Sequence, residues 1–152
     1  YAYAVDGQRD ACMGKFEDAK KILSMSTRTG YPESPVYWYD EGIIAIRESH
    51  CLLQLGHPRE AAVRASEGLE LYDTSRADSY AYARLGLSAA HLQCREIEES
   101  ARVLSEAAEL AARNRSARLV KEILATRIQM KTWGTTEAIK TLDEKLASYA
   151  LA

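Results

Sequence analysis

The sequence predicts an all-α protein of about eight antiparallel helices, and three observations carry that expectation. Only three prolines and eight glycines fall among 152 residues, too few for a loop-dominated chain. Ala, Leu, Glu and Arg, all strong helix formers, are abundant. Apolar residues recur at three- and four-residue spacing, and no segment alternates apolar and polar residues between strand-type turns, so no sheet is expected.

The elements follow in order. Phe16, Ala19, Ile22 and Leu23 share one helix face, which Gly30 and Pro32 end, and Pro35 closes the linker. A long helical segment from Val36 to Leu55 carries Ile43, Ile44, Ile46, Leu52, Leu53 and Leu55. Gly56-His57-Pro58 then makes a tight turn, with Pro58 suited to the first turn of a helix whose apolar side is Ala61, Ala65, Leu69 and Tyr72. Asp73-Thr74-Ser75 is a cap-and-turn cluster, with Ser75 and Asp78 spaced like a capping box. The next helix reaches Gln93 and breaks near Arg95; Ile97, Ala101, Leu104, Ala108 and Ala111 mark the sixth. Asn114 to Ser116 caps a seventh that reaches Lys131, and Trp133-Gly134-Thr135 turns into an eighth ending near Tyr149.

Composition narrows the function classes. The formal charge is −2, against the basic balance of a dedicated nucleic-acid binder, and no apolar run approaches the roughly 20 residues of a membrane span. The chain starts at Tyr1 rather than Met without a signal pattern, so a fragment of a longer protein is expected. Cys12, Cys51 and Cys94 are odd in number and lie inside apolar-periodic segments, which suits free thiols in a cytoplasmic protein. His50 beside Cys51, and His91 three residues before Cys94, raise a metal alternative, but no second close pair completes a ligand set, so no metal or other cofactor is expected.

An internal repeat emerges when the turns are superposed. Gly14-Lys15-Phe16-Glu17-Asp18-Ala19, Gly56-His57-Pro58-Arg59-Glu60-Ala61, Arg95-Glu96-Ile97-Glu98-Glu99-Ser100 and Gly134-Thr135-Thr136-Glu137-Ala138 align. Each ends on a small residue, as needed where antiparallel helices cross closely. The pattern resembles the tetratricopeptide repeat, a helix-turn-helix unit of roughly 34 residues. The resemblance implies a solenoid of about four units near 1–30, 36–72, 76–112 and 116–150 within one domain spanning 1–152. The repeats are longer than the standard unit, and its aromatic and proline signposts are sparse.

A narrower resemblance rests on Trp38-Tyr39-Asp40-Glu41, Cys51-Leu52-Leu53-Gln54-Leu55-Gly56-His57-Pro58-Arg59-Glu60-Ala61-Ala62, Ile97-Glu98-Glu99-Ser100-Ala101 and Arg115-Ser116-Ala117-Arg118. These runs are similar to the C-terminal repeat region of bacterial transcription regulators whose N-terminal half is a phage-repressor-type helix-turn-helix domain. That resemblance implies a sensory or oligomerising region with its DNA-binding domain upstream of Tyr1. A stand-alone scaffold bridging protein partners is the alternative.

The repeat family binds ligands along the groove lined by the first helix of each unit. Mapped by the turns, that lining is Gln8 and Cys12 in the first unit and Ile43, Ile46, Arg47, His50, Leu53 and Gln54 in the second. Tyr82, Leu85, Ala89 and Gln93 follow from the third, and Lys121, Leu124 and Ile128 from the fourth. The resemblance implies a protein or peptide ligand there and allows a homodimer, with no nucleic-acid contact by this segment and no membrane. Packing between repeats is the competing role for the same side chains. The paired Lys and Asn with which co-chaperone relatives grip a terminal carboxylate are absent, since Gln8, His50, Ala89 or Ile128 stands where the Asn would be. Tyr37-Trp38-Tyr39 reads as an anchor for the linker rather than a stacking platform, and the basic residues from Arg113 to Lys131 read as a solvated helix face. No nucleophile elbow, phosphate loop or zinc-protease helix is present, so a non-enzymatic role is expected.

Overall fold

A computed structural model describes residues 2–5, 7–29, 40–71 and 77–149. Among these residues the regular structure is all helical, with no strand. The chain divides into two compact units, Tyr1–Tyr72 and Asp73–Ala152. The first holds α1 (Ala2–Val5), α2 (Arg9–Thr29), α3 (Glu41–Gln54) and α4 (Pro58–Leu71). The second holds α5 (Ala77–Gln93), α6 (Ile97–Asn114), α7 (Ala117–Gln129), a 3-10 turn at Lys131–Trp133, and α8 (Glu137–Ser148). The linker from Gly30 to Pro35, the Tyr37-Trp38-Tyr39 cluster and the capping residue Ser75 lie outside the described residues.

Four of the turns share one geometry. Gly7, Gly56, Arg95 and Arg115 all take a positive φ, of 72°, 79°, 63° and 51°. Each donates its N–H to the carbonyl three residues back, and the following N–H bonds the carbonyl five back, as in Gly56 to Leu53 and His57 to Leu52, or Arg95 to Leu92 and Glu96 to His91. This crossed pair satisfies the last carbonyls of a helix and reverses the chain within two residues. Gly7 and Gly56 reach the left-handed region without a Cβ penalty. Arg95 and Arg115 are held there by the turn at a cost of about 1 kcal/mol each.

These turns correct one sequence expectation. Gly14 is not a turn residue; it lies exposed inside α2, which runs unbroken from Arg9 to Thr29. The reversal in the first unit occurs at Gly7 instead. Good helix formers flank Gly14 on both sides, and ion pairs one turn apart, Lys15–Asp18 and Lys20–Glu17, brace the helix beyond it. One interior glycine costs only about 1 kcal/mol, too little to break such a helix. The register shifts with the turn. Cys12, Ala61 and Ser100 now occupy equivalent places, each five residues past the left-handed turn residue and each buried. Ala19, the small residue expected in the first unit, is only half-buried.

The hairpins α3–α4 and α5–α6 repeat one crossing. The buried Ser49 hydroxyl donates to the Ala61 carbonyl at 2.7 Å. Thirty-nine positions on, Ser88 donates to the Ser100 carbonyl at 2.9 Å and Ser100 to the Ser88 carbonyl at 2.7 Å. A side chain can bond a neighbouring helix's backbone this way only where the axes approach closely, which requires small residues on both sides. The far end of α3–α4 is as tight: a Cβ on Gly68 would fall 2.7 Å from Ile46 Cγ1 and 2.9 Å from the Gly42 carbonyl oxygen. Glu48, 9% exposed, ties three helices of this unit by accepting from Arg64 of α4 at 2.8 and 3.0 Å and pairing with Lys20 of α2 at 3.4 Å.

In the second unit α6 is the central helix. Ala101, Leu104, Ala107, Ala108 and Ala111 are buried along it, packed in one cluster with Leu119 and Ile123 of α7, Met130, and Ile139, Leu142 and Leu146 of α8. Each large aliphatic side chain in that cluster contributes about 1.5–3 kcal/mol on burial. The small residues of α6 let its neighbours approach. At the outer edge the Arg127 guanidinium grips Asp143 at 2.6 and 2.7 Å and holds that carboxyl below its usual range.

Two glycine substitutions separate these roles. Gly14→Ala has open space around its new methyl group and is expected to stabilise the protein by about 0.5–1 kcal/mol. Gly68→Ala meets Ile46 and the Gly42 backbone and is expected to destabilise it by about 1–3 kcal/mol. Urea denaturation monitored by circular dichroism checks both, and a destabilising Gly14→Ala would return that residue to a left-handed turn.

Candidate functional site

In the first unit the outward face of α3 is a stripe of Ile43, Arg47, His50 and Gln54, spaced at four, three and four residues. Ile43 and His50 are half-buried, as is Leu53 beside them, while Arg47 and Gln54 are exposed. The opposite face, with Ile44, Ala45, Glu48, Cys51 and Leu52, is buried and sets which residues remain outside. Burial first, and then the Arg47 charge, push the His50 imidazole below its ordinary 6.5, so it stays neutral at pH 7.

Two first-unit positions are buried rather than exposed as expected, and a third lies outside the helix expected to carry it. Cys12 is 2% exposed, packed with Ala4 and Cys51, and offers no surface to a ligand. Ile46 is buried against Gly68, so it belongs to the α3–α4 contact. Gln8 is exposed but precedes α2, its carbonyl accepting the Cys12 N–H at 3.0 Å. For Gln8 and Cys12 the physical reason is the turn at Gly7, which starts α2 earlier than expected and rotates Cys12 inward; for Ile46 it is the close approach of α4 at Gly68.

In the second unit Tyr82, Leu85 and Ala89 of α5 are half-buried and Gln93 is exposed, spaced along one side of the helix. Lys121 is exposed on α7, Leu124 is half-buried, and Ile128 is 70% exposed. The sequence alone left Arg118 on a solvated face. The structure sets its guanidinium 5.2 Å from the Tyr82 ring centroid, bridging α7 to α5. The Tyr82 hydroxyl is buried and has no hydrogen-bond partner among the described residues. The neighbouring Arg84 is fully engaged: it pairs with Glu106, donates to the Tyr80 hydroxyl at 3.0 Å and lies 4.9 Å from that ring's centroid.

The cysteines and histidines do not converge. Cys12 and Cys51 are buried together, and burial, reinforced by the Cys12 thiol, pushes the Cys51 thiol up. Cys94 is half-buried in the second unit, where His91 Nδ1 lies 2.6 Å from Glu96. No group of three His, Cys, Asp or Glu side chains among the described residues is arranged to hold a metal ion. No helix among them is long and apolar enough to cross a membrane. Compared with family models, curated proteins and solved structures, the chain matches none.

Two measurements check this geometry. The unfolded chain protonates His50 near 6.5 while the folded chain resists. Stability is therefore full above that pH and declines as pH falls through it. His50→Gln is expected to flatten that decline between about pH 7.5 and pH 5 in denaturation curves; an unchanged slope would place the imidazole elsewhere. For the thiols, maleimide labelling of the native protein followed by mass mapping is expected to modify Cys94 well before Cys12 and Cys51. Equal rates would contradict their burial.

Proposed function

We propose that this chain is a non-enzymatic interaction module, a tetratricopeptide-like array whose outward helix faces bind a protein or peptide segment. The observation that carries the reading is the repeated hairpin: matched left-handed turns at Gly56 and Arg95, and matched backbone-directed serine bonds from Ser49 and Ser88. A chain built from one repeated hairpin gains extended surface on the face opposite each crossing, which suits recognition of an extended or helical segment. Half-buried apolar side chains with exposed amides and cations beside them, as on α5 and α7, fit that use.

The sequence runs similar to bacterial helix-turn-helix regulators extend the proposal. In that setting the module is the sensory or oligomerising region of a cytoplasmic transcription regulator. Ligand occupancy biases one subunit arrangement over another, which alters the spacing of DNA-reading domains. The scaffold alternative draws on other exposed apolar side chains, Ile22 and Met25 of α2 and Val63 and Leu71 of α4.

Peptides selected by display against the purified chain provide the test. They are then titrated against Ile128→Glu, at a 70% exposed site where a charge leaves the fold intact, and against Leu124→Glu, at a half-buried one, with thermal melts separating lost binding from lost stability. Loss of one apolar contact is expected to weaken binding about tenfold or more. Unchanged affinity in both variants removes the α7 face from the account, and loss in Ile22→Glu and Met25→Glu instead favours the scaffold.

A further inference from the structure

We infer that Cys12 and Cys51 are a redox-convertible pair, which a peroxide joins into a disulfide that ties α2 to α3. The inference goes beyond the interaction-module reading and stands without it.

Placement is the first observation. Cys12 on α2 and Cys51 on α3 are buried in one cluster, with Ala4 of α1 packed against them and Met13, Phe16 and Leu55 around them. The two thiols share a hydrogen bond, so no third side chain stands between the sulfur atoms. Helix packing thus holds each thiol at a high effective concentration beside the other, the condition under which two sulfurs react with each other rather than with anything in solution.

The repeat supplies the second observation. Cys12 lies five residues after the left-handed Gly7, and Cys51 five residues before the left-handed Gly56. The matching places around the next turns hold Ala61, five after Gly56, and Ala90, five before Arg95, both fully buried. A methyl group therefore satisfies the packing at both places. What cysteine adds in the first unit is the chemistry of its sulfur.

That chemistry balances with a peroxide as oxidant. One sulfur, as thiolate, attacks a peroxide oxygen and breaks the O–O bond, giving a sulfenic acid and a hydroxide that takes up the proton the thiol lost. The second sulfur attacks the sulfenic sulfur; the S–S bond forms, and the departing hydroxyl leaves as water with the second thiol's proton. Two thiols lose two electrons and two protons, and hydrogen peroxide becomes two water molecules. Burial keeps the Cys51 thiol protonated, which slows the first step, and the small oxidant arrives through local openings of the fold. Proximity makes the second step fast, so oxidation stops at the disulfide.

The test incubates the full chain with hydrogen peroxide, blocks remaining thiols with a maleimide in denaturant and digests with trypsin. The expected product is a reductant-sensitive link between fragments 10–15 and 48–59, well above any link to Cys94 of the second unit. Because the bond closes a long loop, the oxidised chain is expected to melt about 5 °C or more above the same sample after dithiothreitol. Cys12→Ala and Cys51→Ala, which install the residue found at the matching places, are each expected to keep the fold and abolish both the link and the shift. Cys94→Ala is expected to keep both. A link that forms only in urea, or no more often than links to Cys94, overturns the inference, as does an oxidised chain that melts no higher than its reduced form.

Discussion

Close backbone approach between antiparallel helices is the constraint on which the rest of the structure depends. At Ser49–Ala61 and Ser88–Ser100 a hydroxyl reaches the carbonyl of the opposing helix, and that distance is available only because no larger side chain intervenes. The turn geometry serves the same end. A left-handed residue followed at once by a new helix leaves no slack, so the register of each hairpin follows from its turn. In α3–α4 the approach is repeated by Gly42 and Gly68, which makes that pair a backbone-to-backbone contact along much of its length.

From that contact follows what is left outside. Once Ser49, Cys51 and Leu52 face inward, helical geometry puts Ile43, Arg47, His50 and Gln54 on the other side. The charged network around Glu48 belongs to the same construction. Its carboxylate, nearly excluded from water, is compensated by Arg64 and Lys20 from the flanking helices. Burial alone would lower the pKa values of both cations, but their hydrogen bonds and neighbouring acids raise them instead. Such a carboxylate is tolerated because its partners arrive from two directions.

The second unit reaches a similar result with aliphatic rather than charged cement. Its small-residue helix α6 lets α5, α7 and α8 gather on one apolar cluster, while at its surface Arg102 pairs with Glu99, Arg113 with Glu109 and Arg127 with Asp143.

Much of the architecture was legible from the residues alone. Helical periodicity, the scarcity of glycine and proline, and the turns near Gly56, Arg95, Ser116 and Gly134 identified an all-helical chain and its breaks, because these signals are local and act before any tertiary contact forms. The small residues Ala61 and Ser100 were recognisable as crossing points for the same reason. The first unit was not decidable in this way. Gly7 and Gly14 are each followed five positions later by a small residue, Cys12 or Ala19, and both fit the repeat. Only packing chose, by burying Cys12 against Cys51 and keeping α2 continuous through Gly14. The same limit applied to Ile46, which periodicity grouped with an exposed face and Gly68 drew into the core, and to Arg118, whose place over Tyr82 depends on a helix more than thirty residues away in sequence. Periodicity reports which residues share a helix face; it carries no information on which neighbour that face meets, since the meeting is made by the other helices.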